Sequence, residues 1–370
     1  MTRDRSVDIA KGLGIILMVM GHAGMPHSSI IFRFHMALFF ILSGWCFSDK
    51  YLDGIKNVLT FVWKKIKGLY IPFVLFNGGT LLLRGVFIKL NIYTNNEMFL
   101  EESPFGGNAY GIFDNLHGVE IKNYLVNVFK FAGESQLGGA TWFLRVMFGV
   151  TVMWCLVNAV LKSVAKFDEK MRMCINISLS VFLVFVSWNW MQNDKHFPLQ
   201  FETVASAYIM FCIGYYLKKY YCEFNWTQNV VIIVMASIIL LYCDGICNIN
   251  GWDSNVNIFS NPFMYIVTSL AGFFGVFSIA QVICCLKKTQ VLETIGRHTL
   301  SILMFHFLCF KVVNLIQVIR YKHPFYRIAS FPVYNSRGKW WVIYTIIGIM
   351  IPVFMAIIFE KIKLVLNKDK

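Results

Sequence analysis

The sequence predicts an all-α membrane protein, a polytopic bundle of about ten transmembrane helices. Of its 370 residues 57% are hydrophobic and only 15% charged, with a mean hydropathy of +0.59, which is too apolar for a soluble globule. Ten stretches are long and apolar enough to span a bilayer, at 8–24, 31–49, 66–90, 141–161, 173–190, 201–217, 228–243, 260–285, 296–319 and 340–360. The Lys and Arg residues divide unevenly between alternating loops: with both termini cytoplasmic, twenty fall inside and ten outside. Half of the outer ones, Arg320, Lys322, Arg327, Arg337 and Lys339, crowd into a single loop that breaks the trend.

The first segment carries Asp8, Lys11 and His22 and lacks a small-residue cleavage pattern, so it is expected to stay in the mature protein. Steps of three and four residues place Asp8, Lys11, Ile15, Met18 and His22 on one stripe. Eleven residues separate Lys11 from His22. At helical pitch that is three turns plus about 20°, which stacks the two side chains roughly 16 Å apart on one face. Asp8 can pair with Lys11 near the inner end, where Lys11 can also snorkel to the interface. His22 has no acidic neighbour in sequence.

The second segment opens Phe34-His35-Met36 and runs through Ser43-Gly44. A short turn containing Gly24, Pro26 and Ser28 makes the first two helices antiparallel neighbours, with His22 and His35 at similar depth near the outer leaflet. Two imidazoles can share one site there, or His35 can bond a backbone carbonyl. Ser43 and Gly44 read as small residues for close helix packing. Lys64, Lys65 and Lys67 precede Pro72, which would kink the third segment. They are either topological charge or the cationic rim of an entrance that binds phosphates.

One long hydrophilic stretch, about 91–140, forms a large extracytoplasmic loop in this topology. Ile121, Tyr124, Leu125, Val128 and Phe129 recur at helical spacing, so a short amphipathic helix is expected over the bundle mouth. Glu101, Glu102, Tyr110, Asp114, His117 and Glu134 lie along it as candidate substrate contacts or a solvated rim. The fourth segment begins Thr141-Trp142-Phe143-Leu144-Arg145, with Trp142 a candidate substrate contact and Arg145 about one turn deep. A buried arginine needs a partner, either an anionic substrate group or Glu134 or Glu202. In the ninth segment Gly296-Arg297-His298 leads to His306, a third intramembrane histidine and a candidate substrate ligand.

The ten cysteines show no metal-ligand spacing, and most fall within apolar segments as packing residues, so no metal is expected. Cys243 and Cys247 sit near the outer face and could form a bond if that side is oxidising. No repeat or low-complexity tract divides the chain, so 1–370 reads as one integral-membrane domain. The basic residues are dispersed over loops, which argues against a nucleic-acid partner and for anionic lipid or a phosphorylated substrate. No GxSxG, HExxH, P-loop or dinucleotide fingerprint is present. Histidine acid–base chemistry is what remains.

Arg5-Ser6-Val7-Asp8-Ile9-Ala10-Lys11-Gly12, Gly21-His22, Phe34-His35-Met36 with Leu38-Phe39-Phe40, and Ser43-Gly44 resemble the integral-membrane acyltransferase type 3 family, in its fucose 4-O-acetylase-like branch. The likeness continues through Lys64, Lys65 and Pro72, the Trp142-Phe143-Leu144 stretch, and Gly296 to His306. The family pattern is a basic residue and a histidine separated by ten residues, which Lys11 and His22 match with lysine where many members have arginine. Lysine supplies a point charge in place of a planar fork.

The resemblance implies transfer of an acyl group, most often acetyl, from cytoplasmic acetyl-CoA to a hydroxyl of a surface carbohydrate or its lipid-linked precursor. It implies a multi-pass protein of the bacterial inner membrane and leaves the oligomeric state open. On that basis His22 is expected as general base, assisted by His35 and Lys11. Asp8, Trp142, Arg145, His306 and Glu134 would face substrate, and Arg5, Lys64, Lys65 and Lys67 would hold the CoA phosphates. A transporter or flippase of a lipid-linked glycan is the alternative, because intramembrane His, Lys and Arg also serve carriers. The inverted repeats and matched broken helices of such carriers are not recognisable in the sequence.

Overall fold

The computed structural model describes residues 4–94, 96, 118–221, 223–246, 261–286 and 288–368. Among them every regular element is helical and none is a strand. Six helices or helical runs are long and apolar enough to cross a membrane: Gln136–Ser163, Glu169–Gln192, Trp226–Gly245, Pro262–Cys284, Thr299–Tyr321 and Trp340–Leu366. Each of the ten apolar segments overlaps a helix, but the second and third are interrupted. The second is split at Arg33–Phe34 into α2 (Ser29–Phe32) and α3 (His35–Trp45). The third runs from α4 (Ile55–Lys65) through a π-helical turn at Ile66–Tyr70 into α5 (Ile71–Leu82), then breaks at Leu83 before α6 (Arg84–Lys89).

The chain divides into two compact units. The first comprises Met1–Ile31, Val74–Thr141 and Lys287–Lys370. It contains α1 (Arg5–His22), α6, a helix α7 (Gly118–Phe129) within the long hydrophilic stretch, and a 3-10 turn at Gln136–Thr141. Most of α5 and the helices of the C-terminal part of the chain belong to it as well. The second unit comprises Phe32–Phe73 and Trp142–Leu286. It holds α3, α4, α8 (Trp142–Ala159), α9 (Glu169–Gln192), α10 (Phe201–Tyr220), α11 (Trp226–Ile246) and α12 (Pro262–Cys284). The C-terminal part of the first unit is α13 (Gln290–Arg297), α14 (Thr299–Tyr321) and α15 (Trp340–Lys368).

Helix starts follow ordinary capping chemistry. Asp4 accepts the backbone N–H of Ser6 at 3.0 Å to open α1, and Asp168 accepts that of Met171 at 2.8 Å to open α9. Asn261 accepts from Phe263 N at 2.8 Å ahead of Pro262, which fills the first helical position of α12 where no donor is needed.

In the second unit α3 and α10 meet backbone to backbone. A Cβ on Gly44 would strike the carbonyl of Phe211, and one on Gly214 would strike the carbonyl of Ile41. Small residues permit this approach where lipid supplies no hydrophobic drive between helices. Trp154, Tyr208 and Phe211 are wholly buried beside that contact, with ring centroids 5.4 to 5.5 Å from the tryptophan. Leu75, Leu82, Phe182, Tyr242, Met350 and Phe354 instead turn outward, as expected of helices whose solvent is hydrocarbon.

Candidate active site

The first unit assembles its chemistry around α1. Gly12 faces the Leu292 carbonyl of α13, and Gly296 of α13 faces the Asp8 carbonyl of α1, at distances that leave no room for a Cβ on either glycine. The two helices therefore touch through backbone at the Asp8 end. Polar side chains fasten the same junction. Arg5 Nε donates to Glu293 Oε1 at 3.0 Å, Arg5 Nη2 donates to Thr289 Oγ1 at 2.6 Å, and that hydroxyl donates to Glu293 Oε1 at 2.6 Å. Arg297 Nη2 donates to Glu293 Oε2 at 3.2 Å, and Arg297 Nε lies 3.8 Å from the buried Asp8 carboxylate.

The hydroxyl of Thr289 and the guanidinium of Arg5 hold the Glu293 carboxyl below the ordinary glutamate range. A depressed folded-state pKa contributes stability above the unfolded value that is lost as pH falls through the folded value. The melting temperature of the purified protein should therefore be level through neutral pH and drop only below the ordinary glutamate pKa of about 4.3. Glu293→Gln should melt lower at neutral pH and converge on wild type in acid. A gap that persists unchanged in acid contradicts the latch.

At the other end of α1, His22 meets α14. Its ring centroid is 5.4 Å from that of His306, with planes 31° apart, and 5.0 Å from Phe307, whose ring it meets edge-on. His306 is completely buried, and its Nδ1 stands 3.0 Å from both the Ile302 and Leu303 carbonyl oxygens. Carbonyls only accept, so Nδ1 carries the proton and Nε2 is left with a lone pair. That Nε2 is buried and has no hydrogen-bond partner among the described residues. The site thus contains one imidazole fixed by the backbone as an acceptor, beside a second that is only partly buried.

A cap closes over this end. Gly24, just past α1 with φ +76°, approaches Ser336, and Phe331 packs on Phe307 at 4.7 Å between centroids. The segment is anchored by three polar residues spaced three apart on α14. Lys311 Nζ donates to the carbonyls of Ala329 (2.9 Å) and Ser330 (2.8 Å), and Asn314 Nδ2 donates to those of Ile328 (2.8 Å) and Ser330 (3.0 Å). Gln317 Nε2 donates to the Asn335 carbonyl at 2.9 Å, and Asn314 Oδ1 accepts the Tyr344 hydroxyl at 2.6 Å. Removing a partner from a buried hydrogen bond costs about 1–3 kcal/mol. Lys311→Ala should therefore free the cap and make trypsin cut at Arg327 much faster than in wild type, and unchanged digestion would mean that Lys311 is not its anchor.

In the second unit, His35 is buried with its ring meeting Phe32 edge-on at 5.4 Å. Trp142 and Arg145 are buried on the first turn of α8. Glu202 accepts from the backbone N–H of Phe197 at 3.1 Å and lies 3.5 Å from His196. The three lysines each lie over an aromatic ring: Lys64 over Tyr51 at 5.3 Å, Lys65 over Phe61 at 5.2 Å and Lys67 over Trp63 at 5.1 Å. Lys64 also donates to the Tyr51 hydroxyl at 3.0 Å.

A family model described as an acyltransferase domain, type 3, matches residues 4–360. The chain belongs to this acyltransferase family. No curated protein and no solved structure matches it. The match includes α1, the histidine pair and the Lys64–Lys67 segment alike, so both units are parts of the acyltransferase domain.

Sequence reasoning offered His35 as the imidazole to share a site with His22; the structure adds His306, 284 residues away, as a ring neighbour of His22. No local pattern announces a pairing of that range. Lys311, Asn314 and Gln317 went unnoticed, although their spacing inside an otherwise apolar run was a readable stripe. Glu101, Glu102, Tyr110, Asp114, His117 and Cys247 lie outside the described residues. No group of three or more potential metal ligands occurs among the described residues.

Proposed function

We propose that this acyltransferase moves an acetyl group from acetyl-CoA to a hydroxyl of a surface carbohydrate or lipid-linked sugar, in the manner of the fucose 4-O-acetylase-like branch. The observation that carries the reading is the pairing of partly buried His22 with buried His306 inside a chain matched by the acyltransferase family over residues 4–360. His22 is the general base. A neutral imidazole accepts the proton of the attacking hydroxyl while its oxygen bonds to the thioester carbon. The C–S bond then breaks, and the CoA thiolate recovers the proton from the imidazolium and leaves as free CoA. Lys11 lines the path to His22, about three turns below it on the same helix face.

His306, Asp8 and Glu134 are assigned to the acceptor in the first unit. In the second, Trp142 and His35 line the substrate path and Arg145 steadies the oxyanion. The CoA phosphates are assigned to Lys64, Lys65 and Lys67. Arg5, the fourth cation of that assignment, is engaged with Glu293 and Thr289, so its service to CoA would have to compete with the α1–α13 latch. We further read the chain as a bundle of about ten membrane-spanning segments with both termini cytoplasmic, in a bacterial inner membrane. That topology puts the lysines on the acetyl-CoA side.

Membrane vesicles carrying the protein, supplied with radiolabelled acetyl-CoA on the cytoplasmic face, test the reading. Label should move into an alkali-labile ester of the glycan or lipid-linked sugar fraction, and vesicles carrying His22→Ala should accumulate none above background. Label that stays in CoA with both proteins contradicts it and favours transport of a lipid-linked glycan.

A further inference from the structure

The five cations that break the charge pattern of the sequence are gathered at one end of the first unit. Arg320, Lys322, Arg337 and Lys339 are exposed, and Arg327 is half-buried. Between Glu293 and Glu360 the sequence contains no acidic residue, and among the described residues none of the four exposed cations forms an ion pair. In the topology proposed above they lie outside, where the positive-inside bias leaves few lysines and arginines.

Aromatic side chains bring these cations together. Trp340 Nε1, at the start of α15, donates at 2.9 Å to the hydroxyl of Tyr321, at the end of α14, with ring centroids 6.3 Å apart. His323 lies 6.0 Å from Tyr321, and its Nδ1 is hydrogen-bonded to the Tyr334 hydroxyl. Arg320 and Lys322 therefore flank the same aromatic cluster as Arg337 and Lys339, and Tyr321 and His323 are themselves exposed. The hydrogen bonds engage the polar edges of the rings, which leaves ring faces beside unpaired positive charge. A sugar that bears an anion suits both, with its C–H groups on an aromatic face and its carboxylate or phosphate on the cations.

The cluster brackets the cap over the histidine pair, whose Phe331 packs on Phe307. Arg320 stands fourteen residues after His306 on one continuous helix, about 21 Å along it. An acceptor chain held at the cations thus spans several sugar units before its hydroxyl meets the histidines. We infer that this end of α14 and α15 is a binding surface for an acidic glycan, and that the acceptor of the acetyl-transfer reading above is such a chain, held by its charge at a sugar remote from the one acetylated. Binding energy from a remote part of a substrate can be used at the reacting centre, so a neutral chain should be a poor acceptor.

Binding of hexagalacturonate and of its neutral methyl ester should be measured with the full-length protein in nanodiscs of phosphatidylcholine, for wild type and for Arg320→Gln/Lys322→Gln/Arg337→Gln/Lys339→Gln, with co-purified phosphatidylglycerol quantified from each. Wild type should bind the acid about 10-fold or more tightly than the ester. Each exposed charge contributes little alone, so the fourfold variant should bind the acid about 10- to 100-fold more weakly than wild type. Salt at about 0.5 M should cause a comparable loss in wild type, which decides the matter if the variant does not fold. With a glycan pool split by anion exchange, label from acetyl-CoA should enter the acidic fraction. Equal binding of acid and ester, or equal affinity of variant and wild type for the acid, overturns the inference. Acetylation confined to the neutral fraction overturns it as well and leaves the acetyl-transfer reading intact. Loss of phosphatidylglycerol from the variant with hexagalacturonate binding unchanged assigns the cations to lipid headgroups and also overturns it. Wild-type protein that acetylates neither fraction removes the reading and the inference together.

Discussion

His22→Ala should lower the rate of acetyl transfer by about 10²–10⁴-fold, the usual contribution of a positioned general base. That corresponds to about 3–5 kcal/mol of transition-state stabilisation, a loss that leaves very little turnover. Acetyl-CoA affinity should change little, because the donor's phosphates are assigned to Lys64, Lys65, Lys67 and Arg5 and not to His22. His306→Leu should also slow the reaction, since leucine offers no acceptor in place of the lone pair that the Ile302 and Leu303 carbonyls fix at Nε2 of His306. Groups that act as one unit are strongly non-additive, so the double variant should be scarcely slower than His22→Ala alone. Multiplying losses would mean that the two imidazoles, 5.4 Å apart, work independently.

Gly296→Val should unfold or grossly destabilise the first unit. The obstacle to a side chain at this position is the Asp8 carbonyl, a backbone atom on the helix that carries His22, and backbone cannot swing aside as a flexible side chain would. Overpacking commonly costs 1–3 kcal/mol, and a β-branched residue against backbone should reach about 3 kcal/mol or exceed it. The reciprocal Gly12→Val, which would strike the Leu292 carbonyl, should behave alike. Gly85→Ala in α6, where nothing lies within 4 Å of the added carbon, should be neutral or slightly stabilising. Thermal unfolding of the purified variants in one detergent compares them directly. Equal melting temperatures for Gly296→Val and Gly85→Ala would show that α1 and α13 are not held at backbone distance.

What could be read from the sequence was what repeats locally. The stripe of Asp8, Lys11, Ile15, Met18 and His22 is a property of helical spacing alone, and α1 presents it over one continuous helix. Gly44 was legible as a packing glycine because membrane helices have few other ways to approach closely, and it does lie against Phe211. The amphipathic spacing of residues 121–129 likewise falls on α7. Hydropathy could not show that the third apolar segment is broken at Leu83, since a break in helix geometry leaves composition unchanged.

Tertiary information was out of reach. His306 becomes the neighbour of His22 only because α13 packs on α1 through Gly12 and Gly296 and so delivers the next helix to the far end of α1. Lys311 sits in a run of apolar residues that masks it in any average, yet it is the residue that ties the 325–336 segment down over the histidines.

The most direct measurement is acetyl transfer by the purified protein alone. Wild type and His22→Ala, each reconstituted in nanodiscs, would be given acetyl-CoA and a pool of glycan and lipid-linked sugar acceptors, and the CoA thiol released would be followed against acetyl ester formed. Acetyl transfer by the His22–His306 site predicts thiol and ester appearing one for one with wild type, only when acceptor is present, and neither with the folded variant. Ester formation at the wild-type rate by His22→Ala, or no thiol release by either protein with any acceptor, would contradict it.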